Sequence, residues 1–344
     1  MDGKVLFVGA VDRLDLPAAA TDRVILCGSP SEALLRLGGG DVCAVVAVGL
    51  PGLDGLRLLN RLRADHPSLA RIVVDPARGA VFRLRHAEVA HQVLPGGQPP
   101  QLLWAAVTRT WHLRELVPDQ RLRAVIGGVD GLPSLPAVFV ELSRVVESPA
   151  CGAPEIAAVV ARDPSLVAKV LQLVNSSFFG LPRRITAIDE AVAYLGVTTL
   201  RALVLASGAF SLFRPPAAVG LDLAELAARS TAIATGAAAM AARDQRDDAF
   251  AAGLLCDLGT VLLACKAPEL SGCDETVLGF THADAGGYLL GLWGLPPAVV
   301  EAVATHHEPP GGSGESGVSA VDAVRRAVVD TEAGSEHLLD LKWA

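Results

Sequence analysis

The stretch ARDPSLVAKVLQLVNSSFFG, residues Ala161–Gly180, decides how this chain is read. Asp163 followed by Pro164 marks a helix start. The carboxylate can accept from the first unpaired backbone N–H groups, and proline at the first helical position lacks a donor that would go unpaired anyway. Leu166, Val167, Val170, Leu171, Leu173 and Val174 follow at helical spacing, over an arc too wide for a surface stripe. The helix is therefore expected to be buried on most of its circumference. Asn175, Ser176 and Ser177 can hydrogen-bond locally and end it. Phe178 and Phe179 are bulky enough to plug into a core, and Gly180 lets the chain turn.

The flanking segments carry the same helical period. LPSLPAVFVELSRVVESP (from Leu132) puts Val138, Phe139, Leu142, Val145 and Val146 on one face, and ITAIDEAVAYLG (Ile185–Gly196) repeats the pattern with Ile185, Ile188, Ala191, Val192 and Leu195. VTTLRALVLASGAFSLF, LAELAARSTAIATGAAAMAARD, DDAFAAGLLCDLGTVLLAC, THADAGGYLLGLWG and PPAVVEAVATHH follow without strand alternation, so an all-α domain is expected. The runs Ala237–Ala242 and Ala249–Ala252 let backbones approach closely and confine the polar residues of those helices to one centre.

LPSLPAVFVELSRVVESP, DPSLVAKVLQLVNSSFFG and ITAIDEAVAYLGVTTLRALVL together resemble the HDOD family, a signalling branch of the HD metal-hydrolase superfamily. The resemblance runs from about Leu132 past His307, with Asp163, Asn175, Phe178, Phe179 and Gly180 as its signature. In the HD superfamily the centre is a metal site with a His on one helix, a His-Asp pair on the next, further His residues downstream and a late Asp. Imidazole and carboxylate ligands of that kind suit a di-metal hydrolase. The carry-over is partial. GLLCDLG (Gly253–Gly259) stands where the family has Gly-Leu-Leu-His-Asp-x-Gly, so Cys256 replaces the histidine and Asp257 is kept. The first histidine falls on Arg229, just before Ser230; His282, His306 and His307 are kept, and Asp322 is the candidate late acid. A guanidinium does not deprotonate and repels a metal, so Arg229 is expected to pair with Asp257. Cys256 and Asp257, as helix neighbours, diverge by about 100° and do not serve one ion well. These residues are read as a relic or a ligand pocket, with no metal and no cofactor. His282 is expected to cap its helix or to hydrogen-bond near its start, and one each of His306 and His307 to point inward and outward, the inward ring donating to Asp257 or a backbone carbonyl.

Before this domain the pattern is different. KVLFVG (Lys4–Gly9), RVILCG (Arg23–Gly28), DVCAVVAV (Asp41–Val48), RIVVD (Arg71–Asp75) and HQVLPG (His91–Gly96) read as five strands, with SPSEALLRL, GLRLLNRLRADHP and PPQLLWAAVTRTWHLREL as helices between and after them. Alternation of this kind argues for a parallel, doubly wound α/β sheet. VVAVGLPGLDGLRLLNRLR is similar to the receiver (response-regulator) domain of two-component signalling. There an acidic pair holds a divalent cation, an Asp accepts the phosphoryl group, and a Ser/Thr and a Lys read it. In this chain the acidic pair aligns with Gly9 and Ala10, the acceptor with Ala47 and the lysine with Leu94, while the Ser/Thr position falls near Val74 or Asp75. Asp12 lies out of register, and Asp54, before Gly55, is read as a turn residue. The resemblance thus implies a pseudo-receiver that is not phosphorylated on aspartate. The helix Pro100–Val117 has apolar residues beyond one narrow face. They fit either a homodimer contact through the receiver-like domain or simple packing of Trp104 and Trp111.

The whole is expected as a pseudo-receiver at 1–117, a joint at 118–131, an HDOD domain at 132–329 and a tail at 330–344. In the joint, Gly127, Gly128 and Gly131 break a short helix, which fits a hinge or a rigid connection equally. The 344 residues allow two domains, and 51% hydrophobic content supplies two cores. With Lys+Arg at 29 against Asp+Glu at 37 and no basic block, nucleic acid is not an expected partner. No apolar run approaches the ~20 residues of a membrane span, and the first ten residues are too short for a signal peptide. Cys27, Cys43, Cys151, Cys256, Cys265 and Cys273 lack CxxC spacing and fit free thiols in a reducing, bacterial cytoplasm. The expected function is signal transduction through protein–protein interaction with other signalling proteins, without catalysis. The alternatives are an HD-type phosphohydrolase or cyclic-nucleotide phosphodiesterase, and a sensor with a nucleotide ligand in the old pocket.

Overall fold

The computed structural model describes residues 3–10, 22–38, 42–50, 53–75, 86, 89–96, 99–129, 138, 141–142, 145, 152–175, 184–196, 222–266, 279–311 and 318–333. Phe178, Phe179 and Gly180, the stretch VTTLRALVLASGAFSLF, Cys151, Cys273 and the tail beyond Ala333 lie outside them. The chain divides into two compact units, one of Met1–Asp130 with Asn175 and Gly291–Gly294, the other of most residues from Gly131 onward.

The first unit holds all five expected strands: β1 (Lys4–Gly9), β2 (Val24–Cys27), β3 (Val42–Val48), β4 (Ala70–Asp75) and β5 (Gln92–Pro95). They form one parallel sheet in the order β2-β1-β3-β4-β5, a doubly wound arrangement. Its central strand β3 is buried along its whole length, as a strand covered on both faces must be. The helices are α1 (Pro30–Leu37), α2 (Asp54–Asp65), α3 (Pro100–Leu116) and α4 (Gln120–Gly127). Asp54 is the first residue of α2, with Arg57 3.7 Å away, and not part of a preceding turn. Trp111 is buried, donates from Nε1 to the Gly3 carbonyl at 2.9 Å and meets the half-buried Trp104 edge-on.

The supposed joint begins as part of this unit. A Cβ on Gly127 would lie 2.1 Å from the Pro67 carbonyl oxygen, so this glycine permits close packing of α4 and is no simple helix breaker. Buried Arg71 fastens the same point, donating to the carbonyls of Val89 at 2.7 Å and Gly127 at 2.8 Å. His91 stands beside it, accepting from the Arg71 N–H at Nδ1, which leaves Nε2 to donate to the Gly127 carbonyl at 3.0 Å. Burial first, and the Arg71 charge second, hold the His91 pKa well below its ordinary value, so it is neutral.

In the second unit, α5 (Ala153–Val160) leads into α6 (Pro164–Leu173), which Asp163 caps by accepting from Ser165 and Leu166 at 2.9 and 3.2 Å. Leu166, Val167, Ala168, Val170, Leu171, Gln172 and Leu173 are all buried, as the wide apolar arc requires. Residues 188–196 are helical, followed beyond Leu221 by α7 (Leu223–Met240), α8 (Arg246–Leu255), α9 (Leu258–Lys266), α10 (His282–Leu292), α11 (Pro297–Ala304) and α12 (Ala320–Ala333). The segment expected as one helix through Cys256 is thus two, parted by a turn at Cys256–Asp257. Taken together, Arg243–Cys265 is long and apolar enough to cross a membrane, which counting uninterrupted apolar residues missed. Its most apolar part is largely buried inside the protein, as in a core helix. Cys27, Cys43, Cys256 and Cys265 are free thiols.

Candidate functional site

Close helix packing builds the site, and glycines set it. In GLLCDLG, a Cβ on Gly253 would lie 2.7 Å from Ala234 Cα, so α8 rests directly on the backbone of α7. A Cβ on Gly259 would lie 1.8 Å from the His282 carbonyl oxygen, so α9 starts against the backbone of α10. A Cβ on Gly287 would lie 2.7 Å from Ala304 Cβ, which seats α10 on the end of α11. Arg229 on α7, Asp257 in the turn, His282 at the start of α10 and His306 and His307 after α11 are thereby brought together.

Arg229 and Asp257 form the expected ion pair, Nη1 to Oδ1 at 2.6 Å, with the Asp257 side chain 3% exposed and that of Arg229 15%. The other guanidinium nitrogen, Nη2, donates to Glu332 Oε1 at 2.9 Å. Burial by itself would lower the Arg229 pKa. Asp257 and Glu332 outweigh it and raise the pKa above its ordinary value. Glu332, on α12, is a site residue that sequence reading missed. Asp322, the candidate late acid, instead takes part in starting α12. It accepts from Ser319 Oγ and from the Gly311 N–H, both at 2.8 Å, and these bonds first of all lower its pKa.

Cys256 is fully buried and its Sγ lies 3.1 Å from the Gly253 carbonyl oxygen, away from a shared ligand position with Asp257. Burial, then the Asp257 charge, push its thiol well above the ordinary range, so it stays protonated and a poor metal ligand. Asp163, Ser230 and Asp257 line one small pocket of about 20 Å³, with room for a water molecule. Asp257 Oδ2 is buried without a hydrogen-bond partner among the described residues.

The three histidines are closer than expected. Thr281 and Asp284 cap α10 reciprocally, at 2.8 and 3.1 Å, so His282 is not the cap. Residues 305–307 are a turn and not a helix, so the angular divergence expected of His306 and His307 does not apply. Their burial does differ, His306 being 1% exposed and His307 on the surface. Their ring centroids are nevertheless only 4.0 Å apart, and lie 5.3 and 5.0 Å from that of His282. His306 Nδ1 is 2.8 Å from the Val303 carbonyl oxygen, the backbone acceptor expected of an inward ring, and His307 Nε2 is 3.1 Å from His282 Nε2. Burial, followed by the two neighbouring imidazoles, lowers the His306 pKa to about 3; burial and His282 lower that of His307.

A dinuclear centre of the HD type does not fit this arrangement. It needs imidazoles at the positions held by Arg229 and Cys256, and one oxygen of Asp257 is already engaged by the guanidinium. In the first unit, Gly9, Ala10, Ala47 and Leu94 stand at the ends of or within the parallel sheet. Gly9 (φ +109°) and Ala10 close onto β3, Ala10 N–H donating to the Val48 carbonyl at 2.9 Å. Ala47 and Leu94 are buried in the sheet. Asn175 is buried at the end of α6.

Fold and site together define a class, a parallel α/β unit followed by a helical unit whose polar centre holds an Arg–Asp ion pair beside three histidines. The chain belongs to the HDOD family, whose domain model matches residues 132–309. A protein of Treponema pallidum (strain Nichols), described as uncharacterized, is 30% identical over 199 residues. The match covers 53% of this chain and only 39% of that protein, so the chain spans well under two thirds of the relative's length. The MmoQ response regulator from Methylococcus capsulatus str. Bath superposes with a TM-score of 0.50 at 21% identity, covering 61% of this chain and 90% of that one. A virulence factor from Campylobacter jejuni subsp. jejuni gives 0.46 at 22% identity, over 61% and 81%. At these identities the structural likeness speaks for the fold.

Proposed function

We propose that this chain is a non-enzymatic signalling protein that acts in the cytoplasm by binding other signalling proteins, with a receiver-like unit that takes no phosphoryl group and an HD-type unit that performs no hydrolysis. The observation that carries this reading is the Arg229 guanidinium held between Asp257 and Glu332. A fixed, non-titrating cation held against Asp257 disfavours a metal-bound water beside that carboxylate, which hydrolysis of the HD type would need. The fold likeness to a response regulator supports the signalling context. The receiver-like unit supplies surface, not chemistry, because Gly9, Ala10, Ala47 and Leu94 offer no oxygen or ammonium side chain for a cation or a phosphoryl group.

The test is turnover. The purified chain is incubated with cyclic mononucleotides, cyclic dinucleotides and an aryl phosphodiester in the presence of Mn²⁺, Mg²⁺ or Zn²⁺, beside Asp257→Asn. The expected result is no hydrolysis above buffer with either protein. Hydrolysis by the parent chain that Asp257→Asn abolishes would overturn the reading.

A further inference from the structure

The polar centre has two halves, and only one of them is closed to metal. Arg229 pairs with both Asp257 and Glu332, one positive charge against two negative, so that half carries a net charge near −1 and does not repel a cation placed beside it. The other half is three imidazoles. The candidate ligand nitrogens of His282, His306 and His307 all lie within 4.8 Å of one another. Two nitrogens on one tetrahedral zinc ion, each bound at about 2.0–2.1 Å, stand about 3.3 Å apart. The two Nε2 atoms of His282 and His307, at 3.1 Å, are already near that separation.

His306 supplies the independent observation. A carbonyl oxygen only accepts, so His306 Nδ1 must carry the proton that it donates to Val303. That fixes the tautomer and leaves Nε2 with a lone pair, the second-shell arrangement that metal-ligating histidines use. This Nε2 is buried and has no hydrogen-bond partner among the described residues. A simple hydrogen bond between His282 and His307 accounts for those two rings and leaves the third unexplained. A shared ion accounts for all three. Imidazole donors favour zinc, copper, nickel and iron over magnesium and calcium, which take oxygen ligands.

We propose that His282, His306 and His307 hold a single divalent ion of the zinc type, apart from the Arg229–Asp257 pair. The ion ties the turn after α11 to the start of α10. It is structural or sensory and does not depend on the non-enzymatic reading, since one ion beside an engaged Asp257 leaves the hydrolytic pair unbuilt.

The full chain, made without a histidine tag and stripped with chelator, is titrated with Zn²⁺ and with Co²⁺ as a coloured probe. The stoichiometry is counted by mass spectrometry of the intact protein. The expected result is one ion per chain, a rise in thermal midpoint with Zn²⁺ and none with Mg²⁺. His282→Ala and His307→Ala should each weaken binding at least tenfold. His112→Ala, an exposed histidine on α3, should bind as the parent does. His306→Gln is the third variant, with circular dichroism to show that it folds. No binding, or binding unchanged in His282→Ala and His307→Ala, would overturn the proposal and leave the non-enzymatic reading standing. Two ions per chain together with phosphodiester turnover would overturn both.

Discussion

Arg229 is one residue with two carboxylates on it, and its removal shows what buried pairing is worth. In Arg229→Ala, Asp257 is left charged and buried without its partner, so a loss of about 3–5 kcal/mol in urea unfolding is expected. Arg229→Met combined with Asp257→Leu should recover most of it, because two apolar side chains of similar volume need no partner. His306 adds a pH dependence. Its folded pKa, about 3, lies below the ordinary histidine value of about 6.5, so the unfolded chain binds the extra proton between those limits. Stability from this group is full above pH ~6.5 and falls as the pH drops toward 3, by on the order of 5 kcal/mol across the window. His306→Gln should flatten that limb in unfolding curves recorded from pH 7 to pH 4. The pairing of Arg229 with Asp257 was legible in the sequence, because the motif GLLCDLG located the acid and charge logic supplied the partner. Glu332 was not. Its segment offers Asp322, Asp330 and Glu332, and only the tertiary register of α12 decides which acid reaches the guanidinium.

At the scale of elements, the polar centre exists because helices touch backbone to backbone. Gly259→Ala would drive a methyl into the His282 carbonyl, and α9 and α10 would have to part. The expected cost is about 1–3 kcal/mol or more, read as a lower urea midpoint, with weaker metal uptake alongside. Gly236→Ala on α7 is the contrast. Its new Cβ would meet Ala327 Cβ at 3.5 Å, an ordinary contact, and alanine gains up to about 1 kcal/mol of helix propensity. That variant should be as stable as the parent or more so. The elements themselves were legible from period and caps. β1 was placed at Lys4–Gly9 and α6 after Asp163 from short-range pattern alone. The turn at Cys256–Asp257 was not legible, because apolar residues continue on both sides of it, and the one at 305–307 was read as the end of its helix although Pro309 and Pro310 follow closely. At the second of them one histidine is buried and one exposed, as expected, although a turn and not a helix sets them apart.

For the whole molecule, the order β2-β1-β3-β4-β5 puts a crevice at the carboxyl ends of β1 and β3, where doubly wound sheets bind ligands. Here the Ala10–Val48 backbone bond spans it and Leu50 lies buried beside it. Incubation with acetyl phosphate and Mg²⁺ should therefore leave no phosphate on the protein, whether read by intact mass or by phosphate-affinity gel. A mass increase of one phosphoryl group that Asp54→Asn removes would refute this. The last helix bears on a different question, how far the helical domain extends as a portable piece. The family match ends at residue 309, yet α12 begins at Ala320 and packs along α7. From α12, Arg325 grips the Thr305 carbonyl and Glu308, and Glu332 reaches Arg229. A fragment cut at the family boundary would expose the alanine face of α7 to water and leave the turn carrying His306 and His307 without its clasp. Anyone grafting this domain onto another protein should carry the gene through Ala333.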